Sequence, residues 1–220
     1  MDEVLILGAG GHGREIAQII LDINNVRESF VIKGFIDDNR ALIGKKVMGI
    51  PVTGDLKGAL ERRNGALSLV MGISDPWTKR RIFEDLSGMD IHWPNIVHPS
   101  ARVVDNALLG KGIAIFPNCV ISTNAEIGDL TCLNTSVSVS HDARIGRFCN
   151  INPGCFINGE VRIGDCVYLG SAAVIIHQRM VGESAIIGAG SVVIREVPPN
   201  TTSVGNPSRV IKVRSPGGER

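Results

Sequence analysis

The sequence predicts two kinds of structure in succession: a small α/β unit and then an all-β coil of hexapeptide repeats. Two observations support this. Strand-like apolar segments alternate with helical patterns up to residue 93, which is typical of a parallel sheet with helices on its faces. From Val97 onward a branched aliphatic residue recurs at every sixth position, which neither a helix nor a long alternating strand explains. We therefore place a domain boundary between residues 93 and 94.

The first unit begins with a short apolar strand, EVLILG, at residues 3–8. The glycine turn GAGGHG follows, and then isoleucines at helical spacing. A second strand, FVIKGFIDD, a turn-rich stretch, GIPVTGDL, a third apolar run, LSLVMGI, and a helical pattern, DPWTKRRIFEDL, complete the alternation. The segment DIHWPNIVHPS is expected to supply the last strand and the connection into the second unit.

The turn from Gly8 to Gly13 matches the G-x-G-x-x-G pattern between a strand and a helix. That pattern is typical of dinucleotide binding, but the unit is short and a second mononucleotide half is missing. Glycine amides at a helix N-terminus can hold a phosphate, and Asp37 or Asp38, at the end of the second strand, can accept a hydrogen bond from a ribose or a base. The turn therefore favours a nucleotide that carries something other than nicotinamide. A dinucleotide site and a purely structural turn are the alternatives.

The aliphatic series runs without a break through the second half of the chain. It comprises Val97, Val103, Leu109, Ile115, Ile121, Ile127, Leu133, Val139, Ile145, Ile151, Ile157, Ile163, Leu169, Ile175, Val181, Ile187 and Val193. The position two residues before each aliphatic is mostly small, as expected if both positions point inward. This pattern is typical of a β-helix whose coils stack short strands along one axis.

A longer period of eighteen residues accompanies the hexapeptides, so three hexapeptides should make one triangular coil. We expect the glycines that mark this period to lie at a corner where the chain turns with a positive φ. They are Gly110, Gly128, Gly146, Gly164 and Gly182.

Composition narrows the classes of function. With a formal net charge of only +1, the sequence lacks the strong positive charge that is typical of proteins that bind nucleic acid or a lipid surface. The N-terminal residues lack a basic region and a long apolar stretch, so we expect no signal peptide, no membrane span and a cytoplasmic protein. The five cysteines contain no C-x-x-C pair, which predicts small buried side chains rather than a disulfide framework or a zinc site.

Several motifs together resemble one protein family over nearly the whole chain: GAGGHGRE, FIDD, VMGIS, LNTSVSVSHDARIG, IGAGSVV and VGNPSRVIK. This family comprises bacterial acetyltransferases of nucleotide-linked amino sugars and is also described as the sialic acid O-acetyltransferase family. The resemblance implies a Rossmann-like domain at residues 1–93 and, at 94–220, a left-handed parallel β-helix with a C-terminal tail. It also implies a homotrimer, acetyl-CoA as co-substrate, no metal, and a place in bacterial surface-polysaccharide biosynthesis.

The resemblance assigns roles to individual positions. His141 matches the general base, Asp142 the acidic residue that raises its basicity, and Asn134 an asparagine that recurs seven residues before the base. The nucleotide sugar is expected at Gly10, Gly11, His12, Asp37, Asp38 and Gly72. Acetyl-CoA is expected between neighbouring subunits, at Asn150, Ser171 and Ala189.

One position departs from the family pattern. Close relatives usually carry a second histidine nine residues after the base, where this chain has Asn150. An amide can donate a hydrogen bond, but it cannot shuttle a proton. The departure argues against a mechanism with two histidines.

The proposed chemistry requires the chain to bend between His141 and Asp142. Acetyl transfer to an amine needs a proton acceptor, and an unperturbed histidine is mostly neutral at pH 7. Such a base typically contributes about 10²–10⁴-fold to the rate. Neighbouring residues on a strand face opposite sides, so Asp142 can reach the His141 ring only if the chain bends there.

The sequence is compatible with three functions. N-acetylation of a nucleotide-linked 4-amino sugar is favoured by the glycine turn and the FIDD segment. O-acetylation of a sugar hydroxyl, such as that of a sialic acid, is a second enzymatic reading. In the third, a trimeric scaffold senses a nucleotide sugar without catalysis.

Overall fold

A computed structural model describes residues 1–62 and 65–215; residues 216–220 of the expected C-terminal tail lie outside it. An α/β unit comes first, and a parallel β-helix follows it, as the sequence predicts. The α/β unit holds one six-stranded sheet in the order β3-β4-β2-β1-β5-β6. Its elements are β1 (Asp2–Leu7), α1 (Gly11–Val26), β2 (Phe30–Ile36), β3 (Lys46–Val47), β4 (Ile50–Gly54), α2 (Leu56–Arg62), β5 (Leu67–Met71), α3 (Pro76–Asp85) and β6 (Ile91–His92).

Strand β1 lies at the centre of this sheet, between β2 and β5, and pairs with both in parallel. Its Ile6 and Leu7 side chains point to opposite faces and are both buried, as expected for a parallel strand covered on both faces. The apolar face of α1 packs against the sheet on one side. Gly13 on that helix has no room for a side chain, because a Cβ there would collide with the Gly8 carbonyl oxygen. The last glycine of the G-x-G-x-x-G pattern is therefore required by the close approach of helix to strand.

The β-helix is a prism with three parallel sheets. The first contains β7 (Ile96–Val97), β10 (Ala114–Ile115), β13 (Cys132–Leu133), β16 (Asn150–Ile151), β19 (Tyr168–Leu169) and β22 (Ile186–Ile187), and is extended by β24 (Thr201–Val204) and the antiparallel β25 (Arg209–Val213). The second contains β8 (Arg102–Val103), β11 (Val120–Ile121), β14 (Ser138–Val139), β17 (Phe156–Ile157), β20 (Val174–Ile175) and β23 (Val192–Val193). The third contains β9 (Leu108–Leu109), β12 (Glu126–Ile127), β15 (Arg144–Ile145), β18 (Arg162–Ile163) and β21 (Met180–Val181).

Consecutive coils pair with a register of eighteen residues; Ile115, for example, lies beside Leu133. The second residue of nearly every strand points into the prism, and the small residue two positions earlier fills the space beside it. Cys119, Ala125 and Val137, three of these small residues, are fully buried. Inward stacking of the hexapeptide aliphatics is thus confirmed.

The corners of the prism differ from the expectation. None of the five glycines spaced by eighteen residues has a positive φ. A Cβ on Gly128 would lie only 2.6 Å from the carbonyl carbon of Gly146, so these positions are glycine because successive coils stack too closely for a side chain. The positive φ values occur instead three residues after the aliphatics, as at Asn118 (59°), Asn124 (56°) and Asp142 (58°).

Helix α3 fastens the α/β unit to the first sheet of the prism. Asp75 caps its N-terminus by accepting from the Thr78 amide at 2.9 Å, and Pro76 occupies the first turn. Lys79 is 1% exposed and donates to the carbonyl oxygens of Leu130 at 3.1 Å and Cys149 at 2.8 Å. Burial lowers the pKa of this lysine. A buried cation that spans two coils fixes the face on which the α/β unit rests.

The five cysteines are buried and free, as predicted. Burial raises the pKa of each thiol, to about 12 for Cys132 and Cys149, so none is poised as a thiolate nucleophile. Among the helices within residues 1–62 and 65–215, none is long and apolar enough to cross a membrane.

Candidate active site

A cleft of about 570 Å³ opens at the carboxyl edge of the α/β sheet, where β1 lies between β2 and β5. Open parallel sheets bind ligands at this edge. All six positions expected to bind the nucleotide sugar line this cleft: Gly10, Gly11, His12, Asp37, Asp38 and Gly72. Helix α3 adds Thr78, Arg81 and Asp85, which the sequence reasoning did not single out.

The two neighbouring aspartates of the cleft have different surroundings. Asp37 accepts from the Ala9 amide at 2.8 Å and from the Asn39 amide at 2.9 Å, so its two oxygens hold the glycine turn and the end of β2. Among the described residues, no side chain donates a hydrogen bond to the exposed Asp38 carboxylate. Asp38 is therefore the carboxylate that is free to accept from a ligand.

The charges of the cleft are unbalanced. Four carboxylates line it, and Arg81 is the one lysine or arginine among its described lining residues. Burial, reinforced by the positive charge of Lys79, lowers the pKa of His12 to about 4, so this imidazole is neutral at pH 7. A bound phosphate can thus be held by the amides at the N-terminus of α1 and by Arg81, but not by an imidazolium.

His12 lies at the boundary between the two units. Its ring stacks on Phe116 of the β-helix, with ring centroids 5.5 Å apart and an interplanar angle of 8°. Its Nδ1 atom is 3.6 Å from a carboxylate oxygen of Glu15, one turn along α1. The cleft therefore touches the prism at this ring.

A second group of residues lies on the β-helix, at the corner between the second and third sheets. His141 Nδ1 is 2.8 Å from Asp142 Oδ2, although the two residues are neighbours in sequence. The contact is possible because Asp142 has a φ of 58°, which turns the chain at the corner. The expected bend is confirmed. The hydrogen bond from His141, followed by one from Asn124, lowers the pKa of the Asp142 carboxyl, so it is ionised at pH 7.

Gly159 lies beneath the His141 ring. It stands eighteen residues after His141, hence one coil further along the same corner. A Cβ at this position would lie 2.5 Å from His141 Nε2 and 2.6 Å from Cε1. The imidazole thus occupies space that any other residue would fill.

The predicted catalytic residues do not all lie close together within the single chain. His141 and Asp142 do not line the cleft. Asn134 follows β13 at the corner between the first and second sheets, where its Oδ1 accepts from the Thr135 amide at 2.7 Å. Strand β14 separates it from His141. The cleft and the His141–Asp142 pair therefore lie on different sides of the same chain.

The positions expected to contact acetyl-CoA are divided as well. Ser171 and Ala189 are exposed, one coil apart at the corner between the first and second sheets. Asn150 is 1% exposed on the first sheet; its Nδ2 donates to Asn152 at 3.2 Å, and its Oδ1 has no partner among the described residues. Because the Asn150 side chain is buried, it is not accessible to acetyl-CoA in the single chain.

Known proteins resemble both units of the chain. Residues 3–86 match the family described as the PglD N-terminal domain. Over nearly the whole chain, the structure resembles a mutant of perosamine N-acetyltransferase from Caulobacter crescentus in complex with CoA and GDP-perosamine. The TM-score is 0.86 at 27% identity, with 96% of this chain and 98% of the other covered. The chain shares with this acetyltransferase a Rossmann-like N-terminal domain followed by a hexapeptide-repeat β-helix.

Two further proteins are similar to the chain. The acetyltransferase domain of PglB from Neisseria gonorrhoeae FA1090, in complex with acetyl coenzyme A, has a TM-score of 0.86 at 27% identity, with 95% of this chain and 98% of that domain covered. GDP-perosamine N-acetyltransferase from Escherichia coli O157:H7 is 36% identical over 127 residues, which span 56% of this chain and 55% of that protein. The chain thus aligns with about half the length of this curated relative.

Gly159 and Asn124 lie beside His141 and Asp142, and the sequence reasoning missed both. The eighteen-residue period could have found them, because Gly159 follows His141 and Asn124 precedes Asp142 by one coil each. No comparable sequence pattern points to Arg81. It stands in a charged helical segment, and only the position of α3 shows that it lines the cleft.

Proposed function

We propose that this protein transfers the acetyl group of acetyl-CoA to the amino group of a nucleotide-linked sugar, with His141 as the general base. The observation that carries the proposal is the 2.8 Å contact between His141 Nδ1 and Asp142 Oδ2. This contact fixes the ring so that Nδ1 donates to the carboxylate and Nε2 is left as the acceptor. Relatives in complex with CoA and GDP-perosamine, or with acetyl coenzyme A, support the assignment.

In the proposed reaction, His141 Nε2 accepts a proton from the sugar amine as the amine nitrogen bonds to the thioester carbonyl carbon. The carbon–sulfur bond then breaks, and the thiolate of CoA leaves. Asp142 stabilises the imidazolium that forms, because its ionised carboxylate already accepts from Nδ1. The exposed ring is accessible to a substrate that approaches from outside the prism.

The nucleotide sugar is assigned to the cleft of the α/β unit. The amides of Gly10 and Gly11 at the start of α1 would hold the diphosphate, with Arg81 as the cation beside them. Asp38 would accept hydrogen bonds from the ribose or the base, whereas Asp37 is occupied by the turn. Gly72 at the end of β5 leaves space for the ligand, and a neutral His12 adds a polar edge.

The separation of the cleft from His141 supports a homotrimer in which each site is shared. The α/β unit rests on the first sheet, whereas His141 lies at the far corner of the second. The outer face of the second sheet exposes Val120 and Phe156 at 45% and 51%, which suits contact with another subunit. We propose that acetyl-CoA lies at this boundary, beside Ser171 and Ala189. The setting proposed for this activity is the synthesis of bacterial surface polysaccharide.

The test is an acetyltransferase assay with acetyl-CoA and a panel of nucleotide-linked 4-amino sugars, with sialic acid included, in which free CoA is detected by a thiol reagent. His141→Ala should lower turnover by at least about 10²-fold, the scale of a lost general base. His177→Ala is the matched control, since His177 is an exposed histidine two coils further along. Release of CoA with sialic acid alone would indicate O-acetylation. Binding of a nucleotide sugar without any release of CoA would indicate a sensor.

A separate experiment tests the shared site. His141→Ala subunits and Arg81→Glu subunits, each inactive alone, are unfolded, mixed and refolded together. Mixed trimers should regain part of the activity, because some sites combine an intact cleft from one subunit with an intact His141 from the next. If each subunit instead contains a complete site, mixing restores nothing.

A further inference from the structure

A ladder of side-chain hydrogen bonds leads to the catalytic pair from two coils away. Asn106 Nδ2 donates to Asn124 Oδ1 at 2.9 Å, and Asn124 Nδ2 donates to Asp142 Oδ1 at 3.0 Å. Asp142 Oδ2 is the atom that contacts His141 Nδ1. The three rungs follow the eighteen-residue period along one corner, so the stacking of the coils itself brings them into contact.

The ladder has only one workable direction. An ionised carboxylate accepts hydrogen bonds but donates none, so Asn124 must present its NH₂ group to Asp142. Its carbonyl oxygen then faces Asn106, which donates to it. An aspartate at position 124 could not serve, because it would place a second carboxylate against the first.

The bond from Asn124 restricts the terminal torsion of the Asp142 side chain. The Asp142 carboxylate is exposed, and without a partner on Oδ1 only its contact with His141 would restrain rotation about its terminal bond. With Oδ1 held by Asn124, Oδ2 is directed at the His141 ring. The same bond contributes to the lowered pKa of Asp142.

We propose that Asn124 is a positioning residue for the general base: it orients the Asp142 carboxylate, which in turn orients His141. The proposal rests on the proposed function, because it assumes that His141 accepts the proton. Asn124 itself touches no substrate. Its effect is therefore on the rate and on the pH dependence of the reaction, and not on the binding of either substrate.

The test compares Asn124→Asp with Asn118→Asp. Asn118 stands one hexapeptide earlier and is also exposed, with the same left-handed backbone (φ of 59° against 56°). Its side chain makes no hydrogen bond with another described residue. Both variants add the same charge at the same kind of position. Only Asn124→Asp removes a donor from Asp142.

For Asn124→Asp we expect kcat to fall about tenfold, the scale of a hydrogen bond to a charged group, with both KM values unchanged. The added negative charge favours the protonated ring, so the acid limb of the kcat/KM profile should move to higher pH. For a charge about 6 Å away in water the movement is roughly half a pH unit. Asn118→Asp should leave kcat and the profile as in the wild type.

An NMR titration of the His141 ring, assigned by comparison with His141→Ala, gives a second result that does not depend on turnover. Its midpoint should move in Asn124→Asp and not in Asn118→Asp. An unchanged midpoint and profile in Asn124→Asp, or equal losses in both variants, would overturn the proposal. If His141→Ala retains full activity, it is the proposed function that fails, and the titration still shows whether Asn124 controls the ring.

Discussion

The burial of His12 predicts a specific loss of stability in acid. Burial at the boundary between the units, reinforced by the charge of Lys79, lowers the pKa of His12 from 6.5 to about 4. Between these values the unfolded chain binds a proton at this histidine and the folded chain does not. Stability should therefore fall as the pH drops from 6.5 toward 4, whereas above pH 6.5 this residue contributes no pH dependence.

The size of the effect follows from the two pKa values. A difference of about 2.5 between folded and unfolded states corresponds to about 3 kcal/mol when the loss is complete. At pH 4.5 most of the loss has occurred, about 2.5 kcal/mol. The histidine side chain is only 12% exposed, so solvent screening removes little of this figure.

The assay is urea unfolding at pH 7.0 and pH 4.5, at one protein concentration, because the proposed trimer would unfold in a concentration-dependent way. His12→Phe keeps an aromatic ring against Phe116 but cannot titrate. The wild type should lose about 2.5 kcal/mol more than this variant between the two pH values. His92→Gln, which removes an exposed histidine, is the control and should behave as the wild type. Equal pH dependence in His12→Phe and the wild type would refute the reasoning.

Three other substitutions have defined outcomes. Gly159→Ala should push the His141 ring aside and lower kcat by about 10- to 10²-fold in an acetyltransferase assay; the melting temperature should hold, because the displaced ring is exposed. Lys79→Met should lower the free energy of unfolding by about 1–3 kcal/mol in urea, because the Leu130 carbonyl loses its donor. Arg81→Gln should raise the KM for the nucleotide sugar about tenfold and leave the KM for acetyl-CoA unchanged, as steady-state kinetics would show.

Each of these expectations has a control. In a His141→Ala background, Gly159→Ala should cost nothing further, and a further loss would mean that it acts elsewhere than on the ring. Lys33→Met removes an exposed lysine and should be nearly neutral; a similar cost for both lysine variants would contradict the role given to burial. An equal rise in both KM values for Arg81→Gln would show that the arginine supports the fold and not the nucleotide.

Much of the fold could be read from local repetition. The six-residue series predicted the β-helix because every coil repeats the same inward position, and a pattern of that kind needs no knowledge of distant contacts. The bend at Asp142 followed from its place after a strand. The glycines spaced by eighteen residues were interpreted wrongly, because their sequence reveals a restriction on side-chain size but not whether φ or stacking imposes it.

The sequence by itself determined the two units, the coil period, and the residue types that can carry acetyl transfer. The tertiary structure decided which of these residues meet. Asn124 and Gly159 contact Asp142 and His141 only because the coils stack in register, a contact made across eighteen residues of chain. Lys79 is buried against Leu130 and Cys149, so the α/β unit packs on the first sheet. The cleft therefore lies apart from His141. Docking of this kind depends on the summed packing of two surfaces, which no local pattern of residues encodes.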